Sequence, residues 1–207
     1  MAAPLLTLPT NCAAQVTSEI VRVVGSTMSP FTLEEQDFIW PGERLGFSIS
    51  LPPITNRDIA DQWIAFGDKM KGKYGRILMG DLSRRTPRGA GTGTPLVDGI
   101  NAAGAITLPT RGWTPNVTNI LKAGDYIQLG SGSTAVLNRV TENVDSDASG
   151  EAVLPLAMAL KSSYNDGSAI VVNDPKGRFK LVSNTWSYRV TPGMVHYFSF
   201  DVIEAIP

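Results

Sequence analysis

Arg44-Leu45-Gly46-Phe47-Ser48-Ile49-Ser50-Leu51 sets an apolar side chain at every second position from Leu45 to Leu51, with Arg44, Ser48 and Ser50 between them. A period of two puts the apolar set on one side of an extended chain and the polar set on the other, so the stretch predicts a half-buried antiparallel strand. Pro52-Pro53 ends it. Upstream, the β-branched run Ile20-Val21-Arg22-Val23-Val24 predicts a further strand, with Gly25 and Pro30 as breakers.

Downstream the period changes. Ile59, Trp63, Phe66 and Met70 are spaced by four, three and four, which places them on one stripe of a helix. Thr55 or Asn56 can cap its start, Asp58 and Asp61 suit its positive end, and Gly72 can stop it. A single helix among strands should lay that stripe across an open face or end of a sheet. Tyr74–Leu82 then predicts another strand. Ser83 to Pro95 (SRRTPRGAGTGTP) has almost nothing to bury and predicts an exposed loop or a crossing between modules.

From Leu96 to Asp174 the strand candidates are short: 105–108, 125–129, 135–141, 151–156 and 169–172, separated by the turn signals Gly130-Ser131-Gly132-Ser133 and Asp145–Gly150. Five strands of this size suit a small closed barrel of the oligonucleotide/oligosaccharide-binding type. The tail returns to longer strands at 178–182, 186–190 and 195–206, the last with Phe198, Phe200 and Val202 on one face. The expected fold is mainly β: an antiparallel β-sandwich with one α-helix, built from residues 1–89 and 176–207, with residues 90–175 inserted as an OB-like barrel that should fold independently.

Composition fits this. Twenty Gly and fourteen Pro in 207 residues are the punctuation of many short strands. The net charge of −1 argues against whole-chain attraction to nucleic acid or to an anionic membrane. The charge is unevenly placed: residues 90–175 hold four bases against eight acids, a net of −4, and the remainder is +3. Cys12 is the one cysteine, so no internal disulfide can form, and His196 is the one histidine, which excludes a His-rich metal site. Met1–Ala14 lacks a basic leader and is broken by Pro4 and Pro9, a poor signal peptide, and no run of about 18 apolar residues suggests a membrane span.

The motifs carrying chemistry are weak. Gly89-Ala90-Gly91-Thr92-Gly93 has the glycines of a phosphate loop, but Pro95 follows in place of a helix and no Gly-Lys-Ser/Thr is present. Asp145-Ser146-Asp147 and Gly150 have the spacing of a calcium loop, but its twelfth position is Leu156 rather than an acid, so a hairpin turn explains the stretch. His196 sits within a strand pattern with no nucleophile to serve, and Cys12 has no partner. No cofactor is implied, and the chain reads as a structural building block rather than an enzyme. The strongest candidate for a contact is the basic stretch of Lys69, Lys71, Lys73, Arg76, Arg84, Arg85 and Arg88, with Asp81 as its counterweight. It could meet a neighbouring subunit or a polyanion, although Tyr74 alone supplies the aromatic interleaving of a nucleic-acid groove.

Several segments together resemble a known family. Leu121-Lys122-Ala123-Gly124-Asp125-Tyr126-Ile127-Gln128-Leu129 followed by Leu137-Asn138-Arg139-Val140 is similar to the inserted barrel of some siphophage distal tail proteins. So is the course from Ala152-Val153-Leu154-Pro155-Leu156 through Asp166-Gly167 to Pro175–Leu181. Trp63-Ile64-Ala65-Phe66, the Arg76–Leu82 strand and the closing Phe198–Ala205 resemble that family's sandwich. The resemblance implies a ring, usually a hexamer, at the end of the tail tube of a long-tailed bacteriophage. There it joins the tube protein to the hub, baseplate and receptor-binding proteins, close to the tape measure protein. It implies a place at the virion tail tip after synthesis in the host bacterial cytoplasm, and no chemistry. On this reading the basic stretch is part of a heterologous interface, and reversing Arg84, Arg85 and Arg88 should weaken assembly without unfolding the chain. The alternative is a carbohydrate- or ligand-binding module using the middle barrel, with sugar stacking on Trp113.

Overall fold

The computed structural model describes residues 3–9 and 15–206. Cys12 lies outside them. The chain is mainly β with one helix: β1 (Leu5–Thr7), β2 (Gln15–Met28), β3 (Glu35–Ser50), α1 (Arg57–Met70), β4 (Arg76–Met79), β5 (Gly93–Val97), β6 (Thr107–Trp113), β7 (Tyr126–Leu129), β8 (Val136–Arg139), β9 (Ala152–Pro155), β10 (Ile170–Val171), β11 (Gly177–Leu181), β12 (Tyr188–Thr191) and β13 (Val195–Glu204).

Seven strands form the main sheet, in the order β1-β4-β11-β13-β3-β2, with β12 paired to the start of β13. All of its pairings are antiparallel except β1 with β4. The alternation read at 44–51 is the inner half of β3: Leu45, Phe47 and Ile49 are buried, and Val202 and Phe200 of β13 stand opposite Phe47 and Ile49. The same face carries Ile77 and Met79 of β4 and Phe179 and Leu181 of β11.

Two layers cover that face, a sandwich-like arrangement. One is α1, which buries Ala60, Trp63, Phe66 and Met70. Trp63 is fully buried, its ring 5.9 Å from Phe200 and 5.7 Å from Phe66. Asn56 is the N-cap, accepting from the backbone N–H of Asp58 and Ile59. The helix ends at Lys71, itself left-handed at φ 50°, one residue before the glycine expected to stop it. Gly67 lies in the helix interior because Trp186 packs on it: a Cβ there would sit 2.1 Å from the indole.

The second cover comes from the middle of the chain. There the ladders are two three-stranded sheets, β5-β6-β9 and β10-β7-β8. Single bridges, Val140↔Leu156 and Leu96↔Ala169, join them. The ladders by themselves do not show the small closed five-stranded barrel expected from the sequence. The sixth strand, β5, starts inside the glycine-rich crossing, and β6 begins and ends later than the 105–108 candidate. These sheets enclose their own core of Leu108, Ile120, Leu121, Ile127, Leu154 and neighbours. Tyr126, Leu137 and Met158, however, belong to the core under the main sheet. β7 is buried along its whole length because alternate residues serve the two cores, Ile127 and Leu129 one, Tyr126 the other. The chain leaves the main sheet after β4 and returns in the adjacent β11, where Gly177 stands opposite Met79.

Candidate assembly surfaces

The β2–β3 hairpin is far longer than the strands that the sequence suggested. Its ladder runs from Gln15↔Ser50 to Met28↔Glu35, with one register shift between Val21 and Val23. The break expected at Gly25 does not occur: Gly25 pairs with Phe38. Up to the shift, the two strands belong to the main sheet. Past it they continue as a two-stranded ribbon, closed by the turn Ser29–Glu34 through backbone bonds between Ser29 and Glu34 and between Leu33 and Ser29.

At the shift, the ribbon is clamped to the middle of the chain. Arg22 Nε donates to Glu43 at 2.8 Å, and an Arg22 Nη donates to the Ala157 carbonyl at 3.0 Å. The other Glu43 oxygen accepts from Ala159 N at 3.1 Å, and Lys161 Nζ donates to the Glu43 carbonyl. Burial pushes the Glu43 carboxyl up. The Arg22 and Ala159 hydrogen bonds, with the charges of Arg22 and Lys161, outweigh it and hold the pKa below the usual range.

Beyond the clamp the ribbon is exposed on both sides. Residues paired across an antiparallel ladder share a face, so Val23, Trp40 and Phe38 lie on one side and Val24, Ile39 and Met28 on the other. Trp40 is 60% exposed, Ile39 78% and the tip residue Phe31 95%. Residues 23–42 include three acids, Glu34, Glu35 and Asp37, and no base. The arm is apolar, aromatic and acidic.

The second surface is the outer face of the main sheet. Arg76 and Lys180 alternate with the buried Ile77 and Phe179, which are paired, so both cations point away from the helix on neighbouring strands. Arg178 shares that face and donates to the Ala205 carbonyl. Burial, then the nearby charges of Arg44, Arg76 and Lys73, lower the Lys180 pKa. Among the described residues none of Arg44, Arg76, Arg178 and Lys180 is in a salt bridge. Sequence reading found only Arg76 of these, because three separate strands assemble the row.

The six candidate interface residues divide into two groups. Lys69, Lys71 and Lys73 are exposed around the end of α1. Arg84, Arg85 and Arg88 lie on the crossing, which is stitched down rather than loose. Asp125, 4% exposed at its side chain, accepts from the backbone N–H of Arg88, Gly89 and Lys122. Arg88 also donates to the Ala123 carbonyl and Arg84 to that of Gly124. Arg85 lines a cleft of about 260 Å³ with Leu8, Leu78, Asp81, Asp174 and Lys176. The cationic ends of Arg84 and Arg88 are thus partly engaged in fixing the crossing, which limits what they can offer a partner.

The remaining sequence candidates have local roles. Asp145 accepts from Asn119 N of a neighbouring loop, and Asp147 from Ser149 N and Glu151 N of its own turn, so the calcium-like stretch spends its carboxylates on backbone N–H groups. His196 is buried, its ring stacked on Phe198 and its backbone bridged to Ile54. Trp113 is 3% exposed and its Nε1 donates to Thr110, so it offers no open face for a sugar. No group of three or more His, Cys, Asp or Glu suited to a metal occurs among the described residues, and no helix there is long and apolar enough to cross a membrane. Compared with known proteins, the chain matches no family model and no curated sequence.

Proposed function

We propose that this chain is a non-enzymatic structural subunit of a virion, forming a hexameric ring at the distal end of a long-tailed bacteriophage's tail tube. In this reading the ring joins the tube protein to the hub, baseplate and receptor-binding proteins and lies close to the tape measure protein. The subunit is made in the host bacterial cytoplasm and ends at the tail tip. The observation that supports it most is the projecting arm. A two-stranded ribbon is marginal in water by itself, and one with large apolar side chains exposed on both sides is suited to burial against another protein. The order of elements, with its segment-by-segment resemblance to distal tail proteins, supports the particular assembly.

The carbohydrate-binding reading is less well supported. It relied on Trp113, which is in the core, and Tyr126 and Tyr164 of the same region are buried as well. Electron microscopy of purified protein and of labelled particles tests the proposal. Rings of the free protein, and label confined to one end of a tail, are expected. Label spread along the tail, or particles without it, would overturn the assignment.

A further inference from the structure

We infer that the arm of one copy seats on the predominantly cationic outer face of the main sheet of the next copy. The inference rests on the ring reading and specifies the contact that would build it. It begins from two surfaces of opposite net charge on one chain, neither of them covered by another element. The arm, residues 23–42, has three acids, no base and the exposed aromatic pair Phe38 and Trp40 two pairs apart on one face of the ladder. The outer sheet face presents Arg44, Arg76, Arg178 and Lys180 beside the aliphatic Leu5, Leu78 and Ile203, against two acids, Glu19 and Asp201, on its β2–β3–β13 side. Arg76 also donates to the carbonyls of Lys73, Tyr74 and Gly75, so the net excess of positive charge, not a set of free cations, is what an acidic occupant would meet. Lys180 comes directly across from Arg76 when the Phe179↔Ile77 register is continued by one residue. Like charges opposed across a ladder weaken a sheet, and an acidic occupant removes that penalty. Arginines also stack well on exposed indole and phenyl rings.

Geometry points to another copy rather than to the arm's own sheet. β2 and β3 run in the plane of the sheet and continue beyond its edge as one ladder, so the arm leads away from the face it would have to cover. An arm on one surface and a receiving face on another make a heterologous contact, the kind that closes a ring when its rotation permits. A nucleic acid is the less favoured occupant of the face. Leu5, Leu78 and Ile203 beside Arg76, Arg178 and Lys180 are aliphatic, and the outward Tyr197 of β13 has its ring covered by Arg189. Glu19 and Asp201 on the same face would repel a polyanion.

The test uses full-length protein with the arm reversed (Glu35→Lys with Asp37→Lys) or the face reversed (Arg44→Glu with Lys180→Glu). Lys180→Glu alone serves as a milder face variant, and thermal melting checks that each is folded. Assembly is followed by sedimentation velocity across concentration, with a fluorescent single-stranded oligonucleotide as a separate probe. Each reversal should raise the concentration needed for assembly by about tenfold or more. An equimolar mixture of the two should restore assembly, because each then finds a complementary neighbour. Normal assembly by both variants would overturn this contact while leaving the ring reading in place. Loss in only one variant would overturn it too, and oligonucleotide binding by wild type that the face reversal abolishes would reassign the face to a polyanion. Wild-type protein that stays monomeric up to its solubility limit would count against contact and ring alike.

Discussion

The two halves of the β2–β3 hairpin are one ladder in two environments. From Gln15↔Ser50 to Val21↔Arg44, one face is dry: Leu45, Phe47 and Ile49 of β3 lie under α1 and against β13, and the half-buried Val16 and Ile20 of the edge strand β2 pack against that core. From Val23↔Trp40 to Met28↔Glu35 the hydrogen bonding is the same, yet both faces meet solvent and apolar residues stand on each. Backbone pairing alone therefore does not distinguish a structural strand from a surface awaiting a partner. What the side chains pack against does, and here the change falls at the Arg22–Glu43 clamp.

Truncation should separate the halves most sharply. Phe47→Ala, in the buried half and 5.3 Å from the Phe179 ring, should cost about 3–5 kcal/mol in denaturant unfolding. A loss below about 1 kcal/mol would mean that the inner half is not packed as described. Trp63→Ala on the covering helix should lose a similar ~3–5 kcal/mol, and a near-unchanged melt would show that the helix docks elsewhere.

The clamp comes next. Glu43→Ala removes the acceptor for Arg22 and Ala159, so about 1–3 kcal/mol should be lost, with faster hydrogen exchange at Ala159. Exchange unchanged there would place the boundary somewhere other than the clamp.

Two glutamates near this boundary should respond oppositely to pH. Glu43 has a folded pKa below its unfolded value, so its contribution is present above the unfolded pKa and is lost as pH falls through the folded one. Glu204 is raised, chiefly by burial, against the opposing pull of Lys161, the Leu45 N–H and Arg44. The folded state therefore holds the Glu204 proton more tightly, and stability falls as pH rises from the unfolded pKa to the folded one. Glu204→Gln should flatten that decline and leave the protein more stable at neutral pH. Unfolding of wild type and variant across pH measures it, and parallel curves would refute it.

The smallest effect belongs to the arm. Phe38→Ser with Trp40→Ser should change the stability of the unassembled chain by no more than about 0.5 kcal/mol each, since little packing is lost. A loss as large as that of Phe47→Ala would show that the arm is folded onto the body.

This contrast also explains what the sequence disclosed. The 44–51 strand and the α1 stripe were legible because each has one wet face and one dry face, and periodicity reports that difference. The arm has no dry face. Phe38-Ile39-Trp40 places apolar residues on both sides in succession, and Pro41-Gly42 looks like a terminator, so the outer part of β3 carried no readable alternation. β5 was concealed by the glycines and threonines around it, and β1 is three residues long. For the surfaces, charge counted along the chain singled out 69–88. The row on the open face needs the register of β3, β4 and β11, information that lies in long-range pairing.

The adjacency of β4 and β11 has a consequence for how this protein can be remodelled. Gly177 faces Met79, and the backbone approaches so closely that a Cβ on Gly80 would lie 2.0 Å from the Pro175 carbonyl oxygen. The two junctions of the middle region therefore form a single socket, the place at which an unrelated domain would be spliced. Such a graft must do more than bridge the gap. Tyr126, Leu137 and Met158 plug the core beneath the sheet, so any replacement has to bring a three-residue stopper of its own.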